Sequence, residues 1–110
     1  MIVEMRIFNT YPGKTEEFIK RYETKGFPIQ VPILGQLLGV YRTEFGPILD
    51  VVMLWGYGSE EDRRNRRAKL AESAEWLAFR KEAAPLVRDE ESRLLIPAQS
   101  TWVRLGRTLE

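Results

Sequence analysis

Residues 1–8, Met1-Ile2-Val3-Glu4-Met5-Arg6-Ile7-Phe8, make an apolar run with an acid and a base two residues apart inside it. Side chains alternate between faces along a strand, so Val3, Met5 and Ile7 form one apolar face while Glu4 and Arg6 share the other with Ile2 and Phe8. A charged pair bracketed by large apolar side chains is neither a wet face nor a plain core face. It predicts a surface that another body covers, and for a short chain the expected cover is a second copy.

Outward from this strand, Tyr11-Pro12-Gly13 is a turn signal, and Thr15-Glu16-Glu17-Phe18 starts a helix with acids in its first turn and a buried stripe of Phe18, Ile19 and Tyr22. Gly26 is the expected stop, Pro28 the opening of a second helical piece, and Pro32 its kink. Gln36 to Glu44 reads as a strand, joined through Phe45-Gly46-Pro47 to a stronger one at Ile48 to Tyr57. Beyond Asp50 that strand is apolar on both faces, with Val52 and Leu54 on one and Val51, Met53, Trp55 and Tyr57 on the other, so both faces are expected to be covered. Ser59-Glu60-Glu61-Asp62 is a capping-box-like start for a helix to about Ala71. Ser73 opens another segment, with Trp76, Phe79 and Ala83 at helical spacing, that stops at Pro85. Glu91 to Pro97, with Leu94 and Ile96 on one face, reads as the last core strand.

Strand, helix, strand, strand, helix, strand is the ferredoxin-like order: α+β, a four-stranded antiparallel sheet with right-handed crossovers that put the helices on one face. One domain over 1–97 is expected, long enough to bury about two thirds of its unfolded surface. A tail over 98–110 contains the alternating Thr101-Trp102-Val103-Arg104-Leu105 and reads as an extra strand or an arm to a partner subunit. The helix-free face is expected to display Glu4, Arg6, Phe8, Met53, Trp55 and Tyr57. Two such faces packed together form a closed barrel, so the partner predicted is the chain itself, as a homodimer.

Composition narrows the chemistry. The 110 residues include no cysteine and no histidine, which rules out disulfides, thiol nucleophiles, histidine-containing triads and histidine-ligated metals within the chain. No metal site and no cofactor site is expected. Seventeen basic against 16 acidic residues give a net charge of +1, so no nucleic-acid or membrane partner is expected either. The longest apolar run, Val51 to Trp55, is far below a membrane span, and no basic-then-apolar leader is visible, so the expected compartment is the cytoplasm.

Within the predicted cavity between the two sheets, Arg6 is the candidate anion clamp and Glu4 the candidate proton acceptor. The structural alternative is an ion pair that fixes dimer register. Phe8, Tyr41, Met53, Trp55 and Tyr57 are candidate ligand-lining residues that stack on a flat molecule, or else simply fill the barrel. The basic cluster Arg63, Arg64, Arg66, Arg67 and Lys69 reads as a solvated helix face, because Glu60 with Arg64 and Asp62 with Arg66 are acid-before-base pairs one turn apart, and with only Ala68, Leu70 and Ala71 as core residues some arginine stems are also expected along the sheet. Gly13-Lys14-Thr15 imitates the end of a phosphate loop, but Phe8 stands where that loop needs its first glycine.

Glu4-Met5-Arg6, Tyr11-Pro12-Gly13-Lys14, Thr43-Glu44-Phe45-Gly46-Pro47, Val51-Val52-Met53-Leu54-Trp55-Gly56-Tyr57 and Asp62-Arg63-Arg64-Asn65-Arg66-Arg67-Ala68, in this order and spacing, resemble the NIPSNAP family from about residue 2 to residue 97. The resemblance implies membership of the dimeric alpha-beta barrel group, whose members include cofactor-independent oxygenases, while the family itself is largely without assigned reactions. It also implies a departure: relatives commonly carry a histidine in the valine-rich strand where this chain has Met53. Three readings stand together. They are a homodimer binding a small apolar or weakly acidic ligand, a cofactor-independent monooxygenase or isomerase, and a ligand-free assembly or adaptor domain.

Overall fold

A computed structural model describes residues 1–105. Strand β1 (Ile2–Thr10) leads to helix α1 (Thr15–Arg21), a π-helical turn (Tyr22–Gly26) and helix α2 (Phe27–Leu34). The chain continues through β2 (Gln36–Arg42), β3 (Asp50–Tyr57), α3 (Glu60–Ala71), α4 (Ala74–Ala83), a 3₁₀ turn (Ala84–Leu86), β4 (Val87–Leu95) and α5 (Gln99–Leu105). The sheet order is β2-β3-β1-β4, antiparallel throughout, as the ferredoxin-like reading requires. Among the described residues no helix is long and apolar enough to cross a membrane.

The two expected helix starts are present. Ser59 accepts the N–H of Asp62 at 3.0 Å and Ser73 accepts the N–H of Trp76 at 3.2 Å, so each hydroxyl satisfies a first-turn donor that its helix leaves free. Gly26, expected as a stop, is instead buried inside one continuous α1-π-α2 rod. Its missing side chain is what the packing uses: a Cβ there would lie 2.8 Å from two ring carbons of Phe79 and 2.9 Å from Tyr22. The rod ends at Gly35, whose φ of +97° favours glycine and whose N–H reaches Val31 O at 2.8 Å.

The core lies between the helices and one sheet face. Phe18 and Tyr22 of the α1-π-α2 rod pack on Phe8, with ring centroids 5.2 and 6.0 Å away, and Phe27 meets Trp55 at 6.2 Å. Helix α4 closes the aromatic cluster with Trp76 and Phe79 against Tyr22. The expectation about faces is therefore reversed. Glu4, Phe8, Met53, Trp55 and Tyr57 lie beneath helices α1 to α4 and are buried, while Val3, Met5, Ile7, Val52 and Leu54 form the opposite face of the sheet, with α5 at its edge. Both faces of β3 are apolar, so strand periodicity alone does not say which one the helices choose.

Two further elements differ from expectation. The last strand runs over Val87–Leu95 rather than 91–97, because its polar run from Arg88 to Arg93 belongs to an edge strand, where charged residues guard against further pairing. The tail forms the helix α5 instead of a strand, and residues 106–110 lie outside those described. Replacing Gly26 with alanine should lower stability by roughly 1–3 kcal/mol despite alanine's better helix propensity, because a rigid ring must move. Urea unfolding measures this, and a stability equal to or above wild type would show that the Phe79 contact is not limiting.

Candidate functional site

Glu4 is in mid-strand on the helix-covered face, and its side chain has 0% exposure. Charged groups converge on it from two elements. Arg63 and Arg67, one turn apart on α3, reach down to the sheet: Arg63 Nη2 donates to Glu4 Oε2 at 2.7 Å, and Arg67 donates to Oε1 through Nη2 at 2.8 Å and Nε at 3.2 Å. Tyr57 OH donates to Oε1 at 3.2 Å from the neighbouring strand. Arg6 Nη1 completes the set at 3.4 Å from Oε2, while its Nη2 holds Glu90 on β4 at 3.1 Å. Taking a carboxylate out of water costs several kcal/mol, and partners on both oxygens offset that cost.

Burial opposes ionisation of Glu4, yet the hydrogen bond from Arg63 and the charges of Arg67, Arg6 and Arg63 outweigh it and hold its pKa below the ordinary 4.5. The bond to Glu4 raises the pKa of Arg63 against its own burial. Burial raises the phenol of Tyr57, with the Arg67 charge acting against it and the Glu4 charge adding to it. Burial likewise pushes Tyr22 up to about 12. Both phenols are thus protonated at neutral pH, and that of Tyr57 is a donor to Glu4. Glu4 is a weak base with no free oxygen, so it acts as an anchor that positions guanidinium groups rather than as a proton acceptor.

In front of this anchor is a cleft of about 190 Å³ between β1 and β4 on one side and α3 and α4 on the other. Arg6, Arg67, Arg80 and Glu90 supply its charge, and Phe8, Tyr22 and Trp76 supply aromatic surface. A wider recess of about 350 Å³ shares Phe8, Tyr22, Arg80 and Glu90 with it and continues along β4 to Arg88 and Asp89. The guanidinium of Arg6 is 5.7 Å from the Phe8 ring centroid, and that of Arg67 is 5.9 Å from the Trp55 ring, so aromatic faces support both cations.

The family model described as NIPSNAP matches residues 3–101. The chain belongs to the NIPSNAP family. A curated relative, the protein NipSnap homolog of Dictyostelium discoideum, is 30% identical over 96 residues, which is 87% of this chain and 42% of the relative; the chain therefore spans less than half of that protein. A solved NIPSNAP family protein from Agrobacterium tumefaciens is 43% identical with a TM-score of 0.86, over 89% of this chain and 93% of that one. A putative antibiotic biosynthesis monooxygenase from Nitrosomonas europaea shares the fold at a TM-score of 0.65 and 15% identity, over 88% of this chain and 98% of that one.

In this NIPSNAP chain the residues singled out from the sequence are divided among different places. Arg6 and Phe8 line the cleft, and Glu4 and Tyr57 stand behind it as its support. Met53 and Trp55 are core residues with 1% and 0% exposure, so the position compared with a histidine of relatives does not line the cleft here. Tyr41 is 56% exposed and lies on the opposite face, beside Val3 and Leu54. Arg63 and Arg67, read as solvated, point inward; Arg66 pairs with Asp62 at 2.9 Å as expected. Sequence reading missed Arg67, Arg80, Gln30, Tyr22 and Trp76 as a group. The few apolar residues of α3 point to arginine stems along the sheet, and the shared face of positions 63, 67 and 70 shows which arginines those are.

Glu4→Gln leaves three guanidiniums around a neutral amide and should cost roughly 3 kcal/mol at neutral pH in urea unfolding. Because the folded pKa of Glu4 lies below its unfolded value, its stabilisation is complete above 4.5 and is lost as pH falls through the folded value. Wild-type stability should therefore fall across that acid range more steeply than that of the variant. Parallel pH profiles would refute the assignment.

Proposed function

We propose that this NIPSNAP chain binds a small, flat, weakly acidic molecule in the cleft between its sheet and its helices. The supporting observation is the charge balance at the cleft: Arg6, Arg67 and Arg80 line it against the single carboxylate of Glu90, while Glu4 is already occupied behind them. An anion in the cleft restores the balance, and Phe8, Tyr22 and Trp76 provide flat surface for its body. This location replaces the inter-sheet cavity expected from the sequence, since Arg6 and its support lie on the helix side of the sheet. Binding is better supported than turnover because Glu4 has no free oxygen to accept a proton.

The homodimer belongs to the same proposal, now through the opposite face. Val3, Met5, Ile7, Val52 and Leu54 form an apolar sheet surface on the side away from α1 to α4, and a second copy covers it sheet to sheet. A concavity of about 620 Å³ lies beside it, with Val3, Leu54, Leu95 and Tyr41 among its walls and α5 along its edge.

Calorimetry with benzoate, a flat carboxylate small enough for the cleft, should show binding that benzamide does not reproduce and that salt weakens. Arg80→Ala touches an exposed side chain outside the Glu4 cluster and should weaken benzoate by about ten-fold. Equal binding of benzamide, or no benzoate heat at all, would refute the reading. Independently, wild type should sediment as a dimer and Leu54→Lys as a folded monomer; a monomeric wild type would remove the sheet-to-sheet contact from the proposal.

A further inference from the structure

Tyr22 combines a fixed ring with an unpaired hydroxyl. The residue is 5% exposed, and the rings of Phe8, Phe18, Phe27, Trp76 and Phe79 surround its own, with centroids 4.9 to 6.2 Å away. It lines both the cleft and the recess that continues from it. Among the described residues its hydroxyl has no hydrogen-bond partner, yet it is not sealed in as Gln30 Oε1, Trp55 Nε1 and Arg63 Nε are, so a molecule in the cleft reaches it. Phenylalanine would fill the same cage of rings, and a hydroxyl in so apolar a place costs free energy unless something bonds to it.

The charges around this hydroxyl say what it would bond. Burial, with the Glu90 charge adding to it, keeps the phenol protonated against the pull of Arg6, Arg80 and Arg67, so it offers a proton rather than taking one. Glu90, the one carboxylate on the cleft wall, is engaged with Arg6 at 3.1 Å. Resting on the proposed anion-binding reading, we infer that Tyr22 touches the ligand directly and donates its O–H to one oxygen of a carboxylate whose charge Arg6, Arg67 and Arg80 balance. The hydroxyl then works as a specificity element. An O–H bond to an anionic oxygen strengthens with the basicity of that oxygen, so the cleft selects a carboxylate over a sulfonate of the same charge on the same ring.

Calorimetry with benzoate and benzenesulfonate, on wild type and Tyr22→Phe, tests this. Wild type should bind benzoate about ten-fold tighter than benzenesulfonate. Tyr22→Phe should weaken benzoate about ten-fold and benzenesulfonate by no more than about three-fold. The ratio of wild-type to variant affinity for benzoate should hold as salt is raised, because a neutral donor is not screened as the guanidiniums are. Without ligand, Tyr22→Phe should unfold at the wild-type temperature or above, since the cage keeps its ring and loses only an unpaired hydroxyl. Benzoate binding that is unchanged in Tyr22→Phe overturns the contact and leaves anion binding intact, whereas no benzoate binding by either protein overturns both. Equal weakening of the two anions overturns the carboxylate preference. A ratio that collapses in salt shows that Tyr22 acts only by placing the arginines, and a lower unfolding temperature shows a structural partner for its hydroxyl; either result overturns the inference.

Discussion

One carboxylate organises this molecule. Glu4 sits beneath α3 with no exposed surface, and Arg63, Arg67, Arg6 and Tyr57 reach it from α3, β1 and β3. Helix α3 has little apolar surface with which to dock, since Leu70 is its one buried residue. Its attachment to the sheet depends on two arginine stems that run inward to a charge, so the ion cluster does the work that leucines do in an ordinary amphipathic helix. Because the cluster holds Arg6 and Arg67 in fixed positions, the cleft beside it receives its cationic wall ready formed.

The second constraint is the aromatic layer. Phe8, Phe18, Tyr22, Phe27, Trp76 and Phe79 meet edge to face or tilted, except that Trp76 stacks on Phe79, with Gly26 letting the α1-π-α2 rod approach the Phe79 ring. The π turn lies where Tyr22 must reach Phe8, Phe18, Phe27, Trp76 and Phe79 together, and it keeps the rod continuous past that crowded point. Both layers act on the same sheet face. The cleft opens where they end, along β4, because the helices cover β1 and β3 and leave the charged edge strand largely uncovered.

Membership of the NIPSNAP family fits this architecture, and the distant monooxygenase shares the fold alone. Function within such a fold follows from the site. Here the site has a cationic wall and aromatic sides, and its one deeply buried carboxylate is held ionised by arginines.

Much of the fold was legible in the residues. The Ser59 and Ser73 caps, the Asp62 to Arg66 pair, the hairpin at Gly46 and the element order all follow from local rules that act over one turn or one strand. The face of the sheet was not legible. Strand β3 is apolar on both sides, and on β1 the charged pair looked too polar to face helices. That judgement failed because the partners of Glu4 come from α3, about sixty residues away, in a stretch whose charge pattern also satisfies a solvated helix. The cleft was hidden for the same reason, since Gln30, Arg67 and Arg80 come from three different helices. The sequence alone determined the main elements, their order and the presence of an acid and a base side by side on one face of the first strand. Only the tertiary structure decided which side of the sheet the helices cover and which charges meet, because a buried ion is tolerated only where distant partners reach it, and no local pattern encodes that meeting.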